Sequence, residues 1–233
     1  GAYSPCWGYG IFPENPIEAL KKGAADGKNL MIGTVSGEFD TVGSTMDTDA
    51  LKKTAISVCQ GKLTDEMCDR YFKNDLKRDE RETWQDLWND MLLREGSVSV
   101  GEAHATSGGK VYMYYIQYMD KNAKLRPQHC FEIPYINDKT DAASYMDKNS
   151  GEPVQGQNPS PLLQKRIQSC WTNFAREGNP NNDSLTVKWP VYSSANRYTM
   201  VIDKEWYIEK GVRNEDMEIC IEIRNLLKSE KND

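Results

Sequence analysis

His129 is one of only two histidines among 233 residues, and imidazole is the side chain whose ordinary titration falls near neutral pH. It stands in RPQHCFEIPY (residues 126–135), shortly after KVYMYYIQY (110–118), a run dense in aromatic and β-branched residues. A histidine presented past a strand end is a candidate general base. The competing reading is a loop or core histidine that makes one hydrogen bond. Upstream, GTVSGE (33–38) places a carboxylate, Glu38, in the loop after a second short apolar run. If the two runs are parallel neighbours in one sheet, both loops leave it at the same carboxyl-terminal edge. Glu38 would then hydrogen-bond His129 and fix its tautomer and orientation. That pair lacks a nucleophile. No G-x-S-x-G occurs, and Ser36 in GTVSG is off register for a strand-to-helix elbow. The order acid-then-histidine matches triads whose serine precedes both, which puts the nucleophile and the oxyanion donors upstream of residue 1. Glu132 is a second acid near His129, but its spacing suits a local salt bridge or a helix-start carboxylate. Asp40 is read in the same way, and His104 as a structural histidine on a helix.

Positioning such a pair takes two strands and a connection between them. NLMIG (29–33) is apolar and bounded by turn residues, as a buried parallel strand is. Residues 34–42 read as a polar loop. Residues 47–90 read as helices with breaks. Thr48 caps the first, with Leu51, Ala55 and Val58 at helical spacing, and Thr64 caps the second. In the third, Trp84, Leu87, Trp88, Met91 and Leu92 recur at i, i+3, i+4, i+7 and i+8. That stripe is a packing face rather than a cofactor box. A weaker helix over 97–107 ends at Gly108-Gly109 and releases the 110–118 strand.

Elsewhere, residues 1–14 read as coil, and Asn15-Pro16 starts a helix. Residues 138–161 are polar and rich in Gly and Pro, as a mobile surface loop is. Residues 161–177 form a long amphipathic helix stopped by GNPN (178–181). Residues 198–202 read as a final short strand, and Ile219, Ile223, Leu226 and Leu227 mark a C-terminal helix. Strands alternating with long helices give the α/β class.

Composition narrows the partners. Lys and Arg number 29 against 35 Asp and Glu, a formal net charge of −6 with the signs interleaved. That is no nucleic-acid surface. No apolar run approaches the ~20 residues needed to cross a bilayer, so no membrane partner is expected. The six cysteines are dispersed, without C-x-x-C or zinc-ligand spacing. They read as free thiols, with Cys59 and Cys68 the nearest pair if a disulfide forms. No phosphate-cradling loop or dinucleotide fingerprint is present.

At WTNFAREGNPN (171–181) followed by WPVY (189–192), the sequence resembles the C-terminal part of the type-B carboxylesterases, the family that includes cholinesterases and para-nitrobenzyl esterases. GTVSGE (33–38) resembles the segment bearing that family's triad acid, and HCFEIPY (129–135) its histidine segment. The resemblance implies that residues 1–233 are the C-terminal part of a single α/β-hydrolase domain, with few sheet strands, many helices and a helical insertion at about residues 47–107. It implies Glu38 as acid and His129 as base of a Ser-His-Glu triad, hydrolysis of small-molecule carboxylic esters through an acyl-serine, and neither metal nor organic cofactor. Two departures touch loop geometry. Arg126-Pro-Gln precedes His129 where the family usually carries Gly with Ala or Cys, and Phe39 follows Glu38 where Gly is common. The chain then reads as a piece of a longer protein, inactive alone. Its first strand would pair through an exposed edge with the missing N-terminal half or with a second copy. The alternative is a catalytically silent cholinesterase-like binding module, against which stands the retention of both Glu38 and His129. The compartment stays open.

Overall fold

A computed structural model describes residues 8, 10, 14–73, 78–121, 123–138 and 160–229. Most of the N-terminal coil and of the loop read over 138–161 lies outside the described residues. Among them, β1 (Leu30–Val35), β2 (Val111–Ile116), β3 (Tyr198–Ile202) and β4 (Tyr207–Lys210) form one sheet in that spatial order. β1, β2 and β3 are parallel, with Leu30 opposite Val111 and Val35 opposite Ile116; β4 runs antiparallel to β3.

β2 lies in the middle and is buried on both faces, hence the unbroken run of apolar and aromatic residues rather than an alternation. Its side chains split by the period of two. Tyr112 and Ile116 pack with Phe131, Tyr135, Trp189 and the apolar flank of α8 (Pro161–Glu177). Val111 and Met113 face the other way, against Tyr192 and Ala105. α7 (Glu132–Ile136) also covers the first face.

The connection from β1 to β2 is helical. It contains α2 (Asp40–Gly43), α3 (Thr48–Val58), α4 (Asp65–Lys73) and α5 (Glu80–Asn89), then a π-helical turn (Asp90–Arg94) and α6 (Glu95–Thr106). Asp79 and Glu82 form a capping box that starts α5. Trp84, Leu87, Trp88 and Met91 do form a packing face, against Leu51, Ala55 and Tyr71 and against α9 (Asn214–Ser229). Leu92 does not join them: it is 41% exposed where Met91 is 1%. The π turn puts an extra residue into the helix and rotates the face that follows.

Other expectations need adjusting. Asn29 precedes β1, its side chain bonded to the Gly178 carbonyl at 2.8 Å. The first strand runs on to Val35, and the 34–42 loop includes the helical turn α2. The strand over 198–202 is not the last, because β4 follows it as an edge strand of mixed exposure, which hides its apolar signal. The WTNFAREGNPN and WPVY segments clasp each other. The Asn181 side chain donates to the Trp189 carbonyl at 2.8 Å and accepts its amide at 2.7 Å, and the Trp189 indole donates to the Met113 carbonyl of β2 at 3.1 Å. The segments that carry the resemblance therefore pin α8 to the sheet.

Gly33 sits opposite Tyr114, whose ring covers the place a side chain would take. An added Cβ would lie 2.2 Å from the Tyr114 carbonyl oxygen and 2.5 Å from its ring. Gly33→Ala is expected to cost about 2–3 kcal/mol, read as a lower urea midpoint. Gly96→Ala, in α6 with nothing within 4 Å, should instead gain about 0.5–1 kcal/mol. Equal midpoints for the two variants would show that both the Tyr114 carbonyl and its ring give way freely.

Candidate active site

The register of β1 on β2 brings the two loops to one edge. β1 ends at Val35 and β2 at Ile116, and the Ser36 amide still reaches the Ile116 carbonyl at 2.8 Å. From there Glu38 and His129 meet. Glu38 Oε2 lies 2.7 Å from His129 Nδ1, Glu38 Oε1 accepts the Val35 amide at 2.9 Å, and the His129 amide donates to the Glu38 carbonyl at 3.2 Å. An ionised carboxylate only accepts, so in the neutral imidazole the contact assigns the proton to Nδ1 and the lone pair to Nε2. The Glu38 side chain is 6% exposed and that of His129 57%, so a buried acid backs an open imidazole. Phe39 stacks on both His129 (6.0 Å, 16°) and Trp88 (5.4 Å, 25°), tying the imidazole face to α5.

Burial is the largest influence on Glu38 and raises its carboxyl above the ordinary range, with Glu132 adding to it. The Val35 amide and His129 pull it part of the way back. Glu132 occupies the first turn of α7 and accepts the Tyr114 hydroxyl at 3.3 Å. Asp40, weighed as an acid, is instead gripped by Arg126 at 2.7 and 2.9 Å. His104 is buried, with Nε2 2.9 Å from the Lys28 carbonyl. The hydroxyl of Ser36 is buried and makes no hydrogen bond. Cys59, Cys68, Cys130, Cys170 and Cys220 are free thiols. Among the described residues no group of three His, Cys, Asp or Glu is placed to hold a metal ion, and no helix is long and apolar enough to cross a membrane.

Sequence reasoning did not assign a part to Arg126, Gln128 or Asp86. Gln128 Oε1 accepts both the amide and the hydroxyl of Thr41, at 2.7 and 2.5 Å. Arg126 joins Asp40 to Asp86 of α5. The one signal that pointed to the first two was the unusual Arg-Pro-Gln before His129.

An acid and a histidine joined at the carboxyl edge of a parallel sheet, with helices on both faces, define the C-terminal part of an α/β-hydrolase. The carboxylesterase family's sequence profile matches residues 2–220, and the chain belongs to that family. It is 28% identical over 208 residues to the para-nitrobenzyl esterase of Bacillus subtilis (strain 168), covering 87% of this chain and 40% of that protein. Against mouse liver carboxylesterase 1 it is 29% identical over 133 residues, 54% of this chain and 20% of the other. The crystal structure of Geobacillus stearothermophilus carboxylesterase EST55 at pH 6.2 shares the fold, with a TM-score of 0.69 at 22% identity over 90% of this chain and 43% of that one. The chain thus spans about 40% of the length of these bacterial relatives.

A carboxyl raised by folding binds more protons folded than unfolded between its two pKa values. Its contribution to stability is full below the unfolded value, about 4.3 for Glu, and is lost as pH rises through the folded one. Glu38→Gln keeps an acceptor for the Val35 amide and removes that titration. Measured by urea unfolding, the variant should gain on wild type as pH rises from the unfolded value, about 4.3, through the raised folded one. A constant difference across that window would show that Glu38 titrates no differently in the fold.

Proposed function

We propose that the full protein hydrolyses carboxylic esters through an acyl-serine intermediate, with His129 as general base and acid and Glu38 as its orienting carboxylate. The observation that carries this reading is the 2.7 Å Glu38–His129 contact, with a buried acid and an exposed ring. His129 Nε2 takes the proton of a serine supplied from outside this chain as that hydroxyl attacks the ester carbonyl. The proton then passes to the leaving alcohol, and the same base activates the water that releases the acid. Glu38 keeps Nδ1 protonated and stabilises the imidazolium formed at each step. The substrate class is a small-molecule ester.

β1 lies at the sheet edge, and among the described residues no strand pairs with it on the other side. In this reading that side takes the segment bearing the serine and the oxyanion donors.

Turnover of a p-nitrophenyl ester by the full-length protein tests the assignment. His129→Ala should lower kcat by roughly 10⁴-fold or more, and Glu38→Gln by a comparable amount through the wrong tautomer. Equal rates in wild type and His129→Ala would remove His129 from the chemistry. No turnover by the wild type would favour a silent binding module.

A further inference from the structure

Besides the Nδ1–Glu38 bond itself, the loop that carries His129 is tied to the loop that carries Glu38 at four places. The His129 amide reaches the Glu38 carbonyl at 3.2 Å, and the Gly37 amide reaches the Pro127 carbonyl at 3.1 Å. Gln128 Oε1 accepts from Thr41. The fourth tie is ionic. Arg126 sets Nε and Nη2 on the two Asp40 oxygens and Nη1 on Asp86 Oδ1 at 2.5 Å. Of the four, only this one reaches a third element.

The arrangement differs from a surface ion pair in three ways. The Asp40 and Asp86 side chains are 10% and 4% exposed, so each needs a partner that is itself fixed. All three guanidinium nitrogens are used, in a planar fork that an ammonium cannot reproduce. Asp86 is also anchored elsewhere, by Arg78 at 2.9 Å and Arg213 at 3.4 Å, both of which continue to Asp216 on α9. Arg126 therefore ties the histidine loop to a rigid helical layer as well as to its neighbour loop.

We propose that Arg126 is a positioning residue: its fork on Asp40 and its third nitrogen on Asp86 hold the His129 loop where Nδ1 meets Glu38. Without it, the backbone bonds and the Gln128–Thr41 contact still join the two loops, but this ionic tie no longer holds the His129 loop to Asp86 of α5. The Nδ1–Glu38 hydrogen bond lengthens and the imidazole turns. The kinetic half of this inference rests on the proposed esterase reading; the geometric half does not.

The test is the Nδ1 proton of His129, observed by NMR, because a proton shared with a carboxylate resonates far downfield and exchanges slowly. In Arg126→Ala that resonance should vanish or move upfield, with Arg126→Lys recovering only part of it. Arg224→Ala is the matched control. It removes a guanidinium of similar side-chain exposure, 30% against 29%, from another buried carboxylate, Glu95, which neither loop contacts through Arg224. It should lower the urea midpoint and leave the resonance in place. In the full-length protein, kcat should fall roughly ten- to a hundredfold in Arg126→Ala, with KM nearly unchanged. If that variant fails to fold, Asp40→Asn, which keeps the shape and discharges one end of the fork, should move the same resonance. A wild-type resonance in both variants, an equal shift in Arg224→Ala, or full recovery by Arg126→Lys would overturn the proposal. Missing ester turnover in the wild type would overturn only the catalytic reading, since the NMR outcome stands apart from it.

Discussion

The parallel pairing of β1 with β2 is the constraint from which the rest follows. Two parallel neighbours cannot be joined by a hairpin, so the chain must travel back to the starting edge before β2 begins. Here that return is made by α2 to α6, and the helical layer exists because something has to fill the route. The same pairing ends both strands at one edge, where Glu38 and His129 emerge. A slip of one residue would turn every β1 side chain to the opposite face and take Gly33 from beneath the Tyr114 ring. Register and site are therefore one specification.

What could be read from the sequence was whatever periodicity and short-range chemistry encode. The aromatic run of β2, the Trp84–Met91 face, the helix starts at Asn15 and Thr64 and the two loops bearing Glu38 and His129 all fall in that category, whereas the cap of α3 is Asp47 and not Thr48. The π turn was not legible, because it leaves no mark on composition and shows only as Leu92 turned outward. β4 was missed since an edge strand with exposed residues has little apolar signal to find. The Arg126–Asp40–Asp86 fork joins residues 86 and 40 positions apart in the chain, and no local pattern announces a contact at that distance. The segments that made the resemblance specific turned out to be a clasp between α8 and the sheet. Their distinctive Asn and Trp types follow from the side-chain-to-backbone bonds that Asn181 and Trp189 make.

Beneath the site lies a balanced group of buried charges: Asp40, Asp86, Asp90 and Asp216 with Arg78, Arg94, Arg126 and Arg213. The Tyr71 hydroxyl donates to Asp90 at 2.7 Å and accepts from Arg213 at 2.9 Å. Burial alone would raise the Asp86 carboxyl, but Arg213 and Arg126 outweigh it and bring it down to about 2. Such a group is a poor source of net stability, because desolvation offsets much of the attraction. Its physical effect is on uniqueness. Each charge is costly anywhere except beside its partners, so α5, α9 and the histidine loop are held where every one of these charges has an opposite charge within 4 Å.

Glu38 stands outside that group, and the contrast with Asp40 two residues later explains the division of labour. Asp40 faces a guanidinium that is always charged, so its charge is neutralised whether or not the neighbouring imidazole is protonated. Glu38 is equally buried yet has only an amide and His129 to answer it, and its carboxyl is raised accordingly. An arginine on Glu38 would ease its burial and also weaken what the carboxylate could do for an imidazolium, since the negative charge would already be compensated. Left without a permanent cation, Glu38 gains most when His129 takes up a proton. In the proposed mechanism the cost of burying it would be relieved as a proton moves from the nucleophile to the base, because the interaction is stronger for a charged histidine than for a neutral one. The scaffold cations sit on Asp40 and Asp86, where permanent neutralisation holds the loops, and Glu38, the acid that the proposed mechanism uses, is left to the imidazole.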